Sequence, residues 1–191
     1  MDYLVVGFSS YLMGSIPFGF LLTKLILKKD IRNIGSGNIG ATNVLRTGNK
    51  YIGYITLILD VAKAIIPVIY IKLTNVDFIF ITSLCVFLGH VFPIWLKFKG
   101  GKGVATYLGI LFSLNLIYGL IFIFVWFVTF LFSKFSSLSS MLASLSIPIY
   151  LIISGNNNYI FFLIMFVLIF YTHRENVKRL KNKEETKTKI Y

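Results

Sequence analysis

Residues 104–132 read VATYLGILFSLNLIYGLIFIFVWFVTFLF, an apolar run without a charged residue. A helix needs roughly 20 such residues to cross the hydrocarbon core of a membrane, so this run exceeds one ordinary span. Ser113 and Asn115 interrupt the run near its middle. We predict that it breaks near Ser113–Leu116 into a short helix and a longer one.

Apolar segments also occupy most of the remaining chain. Of its 191 residues, 57% are hydrophobic and only 14% are charged, and the mean hydropathy is +0.81. A soluble core of this size cannot absorb so much apolar surface, whereas lipid can. The other apolar runs lie at 3–27, 51–73, 78–96, 138–153 and 159–172. The composition predicts an all-α polytopic membrane protein.

Three basic clusters decide the predicted topology. They lie at 24–50, 97–102 and 174–189, and the formal net charge is +12. Basic residues beside membrane spans favour the cytoplasmic side. All three clusters share that side only if the run at 104–132 breaks. We therefore expect about seven transmembrane helices, one short or partly embedded, with the N-terminus outside and the C-terminus cytoplasmic. Residues 1–175 would form one transmembrane domain in the cell membrane (the inner or plasma membrane), and 176–191 a solvated basic tail.

The first polar segment, GSGNIGATNVLR at 35–46, has the composition of an anion site. Glycines at 35, 37 and 40 permit backbone conformations in which successive N–H groups converge on an anion. The guanidinium of Arg46 matches the geometry of phosphate oxygens. The segment is not a Walker A loop, because no Gly-Lys-Ser/Thr follows. The simpler alternative is a flexible turn between helices. The neutral donors in the segment are Ser36, Asn38, Thr42 and Asn43.

A second glycine-rich segment, FKGGKGVAT at 98–106, precedes the long apolar run. If a helix starts near Val104, the glycines leave bare N–H groups at its N-terminus, where the helix dipole favours an anion. Lys99 and Lys102 add positive charge. The alternative is a basic anchor at the membrane edge with a glycine hinge. We expect both segments to lie on the cytoplasmic side.

Several polar residues fall within or beside the predicted spans. Asp60 and Lys63 are three residues apart and could pair on one helix face, either as a structural ion pair or in a direct role. His90 is more typical of a hydrogen-bonded structural group than of a catalyst. His173 and Asn176 would share a face at the exit of the last span. A serine-rich segment could line a polar cleft or pack helices closely; it holds Ser136, Ser137, Ser139 and Ser140.

In combination these motifs resemble one family over nearly the whole chain, the bacterial acyl-phosphate:glycerol-3-phosphate acyltransferases (PlsY). The strings GSGNIGATN-x-x-R and GGKGVAT carry most of the resemblance, and the other matching segments occur in the family's order. Those other segments are GSIP at 14–17, Asp60 with Lys63, Gly89-His90 with Pro93, and His173–Leu180. The resemblance implies a seven-helix membrane enzyme that makes 1-acyl-glycerol-3-phosphate.

The resemblance also implies site residues. It assigns catalytic roles to Ser36, Asn38, His173 and Asn176. The resemblance implies phosphate binding by Gly37, Arg46, Gly100, Gly101, Lys102, Gly103, Ser137 and Ser140. The composition of the first segment adds Gly35, Gly40, Thr42 and Asn43 to the predicted phosphate-binding residues. The family has a structural glutamate in its last motif, and here Glu184 and Glu185 both qualify, because the family's preceding glycine is absent near Lys183.

An acyl phosphate already carries an activated carbonyl, so the protein mainly has to bring two dianionic substrates together. Two cationic glycine loops on one face suit that task. We expect Ser36 and Asn38 to hold the acyl phosphate, and Lys102, Arg46 and Asn176 to hold glycerol 3-phosphate. The proton acceptor stays open between a substrate phosphate oxygen and His173.

The remaining expectations concern partners and alternatives. We expect membrane lipid as a partner, no nucleic acid, no cofactor, no metal site and a monomer. The competing class is a transporter of a phosphorylated metabolite, which would favour repeated halves and polar groups at the midplane. A scaffold that merely binds anionic lipid would need the basic residues but not the glycines.

Overall fold

The computed structural model describes residues 2–188, and this range contains helices and no strand. Lys189, counted above in the basic tail, lies outside the described residues. The chain separates into two compact units, residues 1–114 and 115–191. Unit 1 contains α1 (Tyr3–Gly14), α2 (Phe18–Ile26), α3 (Ala41–Leu45), α4 (Lys50–Thr74), α5 (Ile79–Val91) and α6 (Val104–Leu114). Unit 2 contains α7 (Leu116–Ser133), α8 (Ser136–Ile153), α9 (Tyr159–Thr172) and α10 (Arg174–Lys181).

The long apolar run breaks where its sequence indicates. Helix α6 ends at Leu114 and α7 begins at Leu116, so the predicted break is confirmed. Asn115 has an extended backbone, and its side chain accepts a hydrogen bond from the N–H of Ile117, which caps the start of α7. Lys72 of α4 donates to the carbonyl oxygens of Ser113 (2.8 Å) and Leu114 (3.0 Å) at the end of α6. Lys72 therefore caps the end of α6, and Asn115 caps the start of α7.

The helices have the lengths of membrane spans. Five helical segments are long and apolar enough to cross a bilayer, and α9 with α10 forms a sixth candidate that is bent by 60°. Helix α6 is also apolar but has only 11 residues, so it is about 16 Å long at 1.5 Å per residue and shorter than these spans. The described residues thus form an all-helical, multi-pass membrane protein. The five are 3–26, 50–74, 76–96, 116–133 and 136–153.

Glycines allow the helices of unit 1 to approach closely. A Cβ at Gly14 of α1 would collide with the backbone of Val86 in α5, and a Cβ at Gly89 of α5 would collide with the backbone of Tyr11. A Cβ at Gly109 of α6 would likewise collide with the backbone carbonyl of Val61 in α4. Small residues at such crossings are the usual means of packing helices in lipid.

The first span is broken at its GSIP sequence, residues 14–17. Helix α1 ends at Gly14, and α2 begins at Phe18 after Pro17, which has no N–H to continue a helix. Gly19 then packs directly against the backbone carbonyl of Ile39, within the first glycine-rich segment. The break therefore connects the first span to that segment.

In unit 2, α8 packs between α7 and α9. The ring of Tyr118 makes edge contacts with Tyr150 and Phe162, at centroid distances of 6.2 and 5.5 Å. The chain then bends at His173, where α9 ends and α10 begins. These contacts tie the three apolar helices of the unit to one another.

The tail is less solvated than the sequence predicts. Asn176 is buried, and the side chain of Glu185 is only 7% exposed. The N–H of Thr188 donates to the carbonyl of Lys134, in the turn between α7 and α8. Asn176 and Glu185 are thus exceptions to the solvated tail that the sequence predicts, because polar side chains within unit 2 provide partners for them.

Candidate active site

The first glycine-rich segment, residues 35–46, forms a compact loop that ends in α3. Gly35 and Gly37 adopt positive φ angles of 56° and 70°, a region that favours glycine, whereas Gly40 does not. The side chain of Asn38 accepts a hydrogen bond from the N–H of Gly40 at 2.8 Å. The loop is therefore a defined turn structure with two glycine-dependent positions.

Asn43 lies at the centre of this loop. Its amide nitrogen donates to the carbonyls of Ile34 (2.8 Å) and Asn38 (2.8 Å), and more weakly to Ile31 (3.3 Å). Its oxygen accepts from the N–H of Ser36 at 3.0 Å. Since these bonds use both ends of a buried amide, Asn43 braces the loop. The sequence interpretation of Asn43 as a direct phosphate donor does not match this arrangement.

The other polar side chains of the loop face outward. Ser36, Thr42 and Arg46 are exposed, and Asn38 is half-buried. Arg46 borders an open recess of about 480 Å³. The recess is lined by Lys29, Asp30, Asn33, Ile34, Arg46 and Thr47. A cationic recess beside exposed donors is suited to an anionic ligand.

Arg32 lies close to this recess but has a partner of its own. Its guanidinium pairs with Asp30 at 2.6 Å. This hydrogen-bonded pair lowers the pKa of Asp30 to about 2 and raises that of Arg32. Both groups are therefore charged at neutral pH, and they compensate each other.

The second glycine-rich segment lies between α5 and α6, and α6 starts at Val104 as predicted. The N–H groups of Gly100 and Gly101 donate to the carbonyls of Val91 and His90, both at 3.1 Å. Gly103 has a φ of 84° and packs against the ring of Phe87. Lys102 is half-buried. The loop is thus fixed on the end of α5 and presents its lysine at the start of α6.

One apolar cluster connects the two loops. Ile39 and Val44, from the first loop, share a buried core with Leu96, which lies two residues before the second loop. Phe20, Ile31 and Ile52 complete this cluster. The two loops therefore lie at the same end of unit 1, as the hypothesis of two neighbouring anion sites requires.

Asp60, Lys63 and His90 form a buried polar cluster in the same unit. The ammonium of Lys63 lies 2.7 Å from Oδ1 of Asp60 and 2.9 Å from Nδ1 of His90. The pairing of Asp60 with Lys63 that their spacing indicated is confirmed. The participation of His90 could not be read from the spacing, because it lies on another helix.

In unit 2, a carboxylate organises the residues of the last motif. Oε1 of Glu185 accepts from Asn176 (2.6 Å) and Ser137 (2.8 Å), and Oε2 accepts from Arg179 (2.7 Å). Burial alone would raise the pKa of Glu185, but these hydrogen bonds and the positive charge of Arg179 hold it below its usual value. Glu184 is exposed. The choice left open between the two glutamates is decided in favour of Glu185.

Sequence reasoning had counted Arg179 only among the basic residues of the tail. The signal that could have identified its role was its spacing from Asn176, since residues three apart share a helix face. The spacing of Arg179 from Glu185 carries no such signal, because the helix ends between them.

The two serines expected to bind phosphate are engaged within unit 2. A serine has one hydroxyl hydrogen. Ser137 donates its hydrogen to Glu185, and Ser140 donates to the carbonyl of Ser136 at 2.8 Å. Ser140 also accepts from Nε1 of Trp126 at 3.2 Å. In this arrangement neither hydroxyl hydrogen points to a ligand.

His173 is held in one orientation at the end of α9. Its Nδ1 lies 2.8 Å from the carbonyl oxygen of Ile169. A carbonyl only accepts, so Nδ1 carries the proton and Nε2 of the neutral ring is an acceptor. Asn176 lies one turn later, and both residues are buried. This tautomer is the one that a proton-accepting or hydroxyl-orienting role would need.

With this geometry established, comparison with known proteins identifies the family. A family model described as glycerol-3-phosphate acyltransferase matches residues 4–183. The chain is a member of this family. The glycerol-3-phosphate acyltransferase of Pelagibacter ubique is 73% identical over 191 residues, covering all of both chains. That of Bartonella henselae is 48% identical over 185 residues, covering 93% of this chain and 88% of its own.

Two solved structures agree with the family assignment. The glycerol 3-phosphate form of PlsY, an integral membrane glycerol 3-phosphate acyltransferase, matches with a TM-score of 0.91 and 38% identity over 97% of this chain and 94% of its own. The lysophosphatidic acid form matches with a TM-score of 0.87 and 37% identity, with the same coverage. The resemblance inferred from the motifs is confirmed, and the transporter alternative is not favoured.

Proposed function

We propose that this chain transfers the acyl group of an acyl phosphate to the sn-1 hydroxyl of glycerol 3-phosphate, releasing 1-acyl-glycerol-3-phosphate and phosphate. The observation that carries the proposal is the buried cluster that joins the first glycine loop to the residues just before the second. Ile39 and Leu96 both belong to this cluster, so the two loops lie at the same end of unit 1. The choice of glycerol 3-phosphate as the acceptor substrate follows the names of the relatives, which are glycerol-3-phosphate acyltransferases.

The two loops divide the work of binding. Ser36, Asn38 and the loop N–H groups hold the acyl phosphate, while Arg46 and Lys102 hold glycerol 3-phosphate. Phosphates repel each other unless cations and N–H donors neutralise them, and both loops provide such groups. Asn43 acts indirectly, as a brace that maintains the shape of the first loop.

The reaction itself needs little covalent help. The 1-hydroxyl oxygen attacks the acyl carbon and forms the ester, the bond from that carbon to the phosphate oxygen breaks, and inorganic phosphate leaves. The hydroxyl proton passes to a phosphate oxygen of the substrate. Holding two reactants in contact can contribute on the order of 7–11 kcal/mol, and N–H donors stabilise the oxyanion.

The family resemblance implies roles for two residues of the last motif. His173 orients the attacking hydroxyl through Nε2, and Asn176 hydrogen-bonds to glycerol 3-phosphate. Glu185 and Ser137 fix the position of Asn176. This role is supported by the hydrogen bonds that Asn176 and Ser137 both donate to Oε1 of Glu185. Ser140 supports α8 against Trp126.

For the topology we propose seven membrane-embedded helical segments, with α6 as the short one. The N-terminus lies outside and the C-terminus in the cytoplasm. The break between α6 and α7 supports this arrangement, because it lets the three basic clusters share the cytoplasmic side. The active site then faces the cytoplasm. Residues 1–175 form one transmembrane domain in this proposal. The enzyme works as a monomer.

The test is reconstitution of the purified chain in lipid with acyl phosphate and glycerol 3-phosphate, without metal or coenzyme A. We expect 1-acyl-glycerol-3-phosphate and one equivalent of inorganic phosphate. Acyl-coenzyme A should not replace the acyl phosphate. Product formation only with acyl-coenzyme A would overturn the donor assignment, and no product with either donor would overturn the proposed reaction.

A further inference from the structure

The strongest feature outside the proposed binding groups is the buried cluster of Asp60, Lys63 and His90. Their exposed fractions are 2%, 3% and 4%. Oδ1 of Asp60 lies 2.7 Å from Nζ of Lys63 and 3.6 Å from Nδ1 of His90. Burying charged side chains inside a membrane protein is costly. A protein in which apolar residues of similar volume replace such a buried ion pair is often as stable or more stable. The presence of these three residues in the interior therefore needs an explanation other than stability.

Lys63 connects this cluster to the break in the first span. Its third contact is a 2.8 Å hydrogen bond to the carbonyl of Ile16, between α1 and α2. The ammonium thus hydrogen-bonds to His90 and to Ile16 and forms an ion pair with Asp60. Helix α2 begins two residues later, and its Gly19 packs on the carbonyl of Ile39 in the first loop. Lys63 therefore fixes the helix that supports that loop.

His90 connects the cluster to the second loop. Its carbonyl accepts from the N–H of Gly101, and a Cβ at Gly101 would collide with Nε2 of the imidazole. Because Lys63 donates to Nδ1, the orientation of the ring is set by the ammonium. The position of the second loop thus depends on the ring that Lys63 holds.

We propose that Asp60, Lys63 and His90 are a positioning triad that sets the distance between the two anion loops. This inference rests on the proposed function. The triad touches one support of each loop and acts on the reaction only through them. If the triad is removed, each loop keeps its own donors, but the two reactants no longer meet in a reactive geometry. A displacement of about 1 Å can cost on the order of a hundredfold in rate.

The kinetic test uses the double variant Asp60→Leu/Lys63→Met, which removes the ion pair without leaving a buried charge unpaired. We expect thermal stability close to wild type, KM values within about threefold for both substrates, and kcat reduced at least about a hundredfold. Unchanged kcat in a folded double variant would overturn the proposal, because a merely structural ion pair predicts that result.

Two single variants keep the test decisive if the double variant does not fold. His90→Asn retains an acceptor for Lys63, whereas His90→Leu does not. The asparagine variant should recover part of the kcat that the leucine variant loses, and equal kcat values would contradict the role of the ring. The matched control is Lys72→Met, since Lys72 also lies on α4 and its ammonium also donates to backbone carbonyl oxygens, but it contacts neither loop. Its kcat should match wild type.

A distance measurement tests the triad independently of the reaction. Cys85 is the sole cysteine of the sequence, so Cys85→Ala permits spin labels at Asn33→Cys and Lys99→Cys, two exposed positions beside the loops. The distance distribution should be narrow in this background and with Lys72→Met, and should broaden or shift with Asp60→Leu/Lys63→Met. An identical distribution would overturn the positioning role. If the wild-type chain shows no turnover while the distribution still changes in the double variant, the result counts against the proposed reaction and not against the positioning role.

Discussion

Nδ2 of Asn176 donates a 2.6 Å hydrogen bond to Oε1 of Glu185, nine residues later in the chain. The same oxygen accepts from Ser137, and Arg179 binds the other oxygen. One carboxylate thereby fixes a proposed substrate ligand, the start of α8 and the end of α10. The final motif of the family is thus a folded element of unit 2 and not an extended tail.

Glu185→Gln should destabilise unit 2 and lower activity, because a neutral amide loses the charge paired with Arg179. A carboxyl with a lowered pKa stabilises the folded state above the usual glutamate value of 4.5, and that contribution disappears as the pH falls through the lower folded pKa. The stability gap between wild type and Glu185→Gln should therefore be largest at neutral pH and shrink below about pH 4.5. Thermal unfolding as a function of pH measures it. Glu184→Gln is the control, and an equal loss there would contradict the assignment.

Lys72→Met should lower stability by about 1 kcal/mol, since two carbonyls at the end of α6 lose their ammonium donor. The measurement is thermal unfolding in detergent or lipid. Turnover per folded molecule should stay at the wild-type value, because Lys72 contacts neither loop. Unchanged stability would show that the break needs only the cap at Asn115.

Gly101→Ala should raise KM for glycerol 3-phosphate at least tenfold, because the new methyl group would collide with the imidazole of His90 and distort the second loop itself, next to Lys102. Steady-state kinetics with each substrate varied in turn measures the change. Gly155→Ala is a control with a positive φ of 69° but no atom within 4 Å of the new methyl group. If both variants kept the wild-type KM, the loop would be more tolerant than the structure indicates.

Asn43→Asp should be as destabilising as Asn43→Ala, by about 1–3 kcal/mol, because the aspartate keeps the acceptor for Ser36 but loses the donors to the loop carbonyls. Unfolding measurements compare the two variants. Wild-type stability in the aspartate variant would mean that the bond to the N–H of Ser36 alone holds the loop.

His173→Gln should reduce kcat by less than about a hundredfold, since a general base contributes about 10²–10⁴ and the substrate phosphate is the proposed proton acceptor. Glutamine can still hydrogen-bond near the position of Nε2. Turnover and substrate binding should be measured on the same preparation. Near-complete loss of turnover with normal binding would make His173 the base.

Much of the fold could be predicted because apolar runs and interrupting polar residues act locally. The break at Ser113–Leu116, the kink at GSIP and the start of α6 at Val104 all follow from residues within one turn of the feature. The anion loops could be recognised for the same reason, since glycine, serine and lysine act through backbone and charge at their own positions. The roles of Asn43, Ser137 and Ser140 could not, because a side chain that can donate to a ligand can equally donate to a neighbouring carbonyl.

The sequence by itself determined that the chain is a helical membrane protein, which family it belongs to, and which two glycine-rich loops we propose as anion-binding sites. Only the tertiary structure decided that His90 joins Asp60 and Lys63, that Glu185 and not Glu184 holds Asn176, and that Asn43 braces its loop. The physical reason is that composition and helical period depend on neighbours in sequence. Hydrogen bonds between residues 27 to 48 positions apart, such as Lys63 to His90 or Ser137 to Glu185, exist only after the helices have packed.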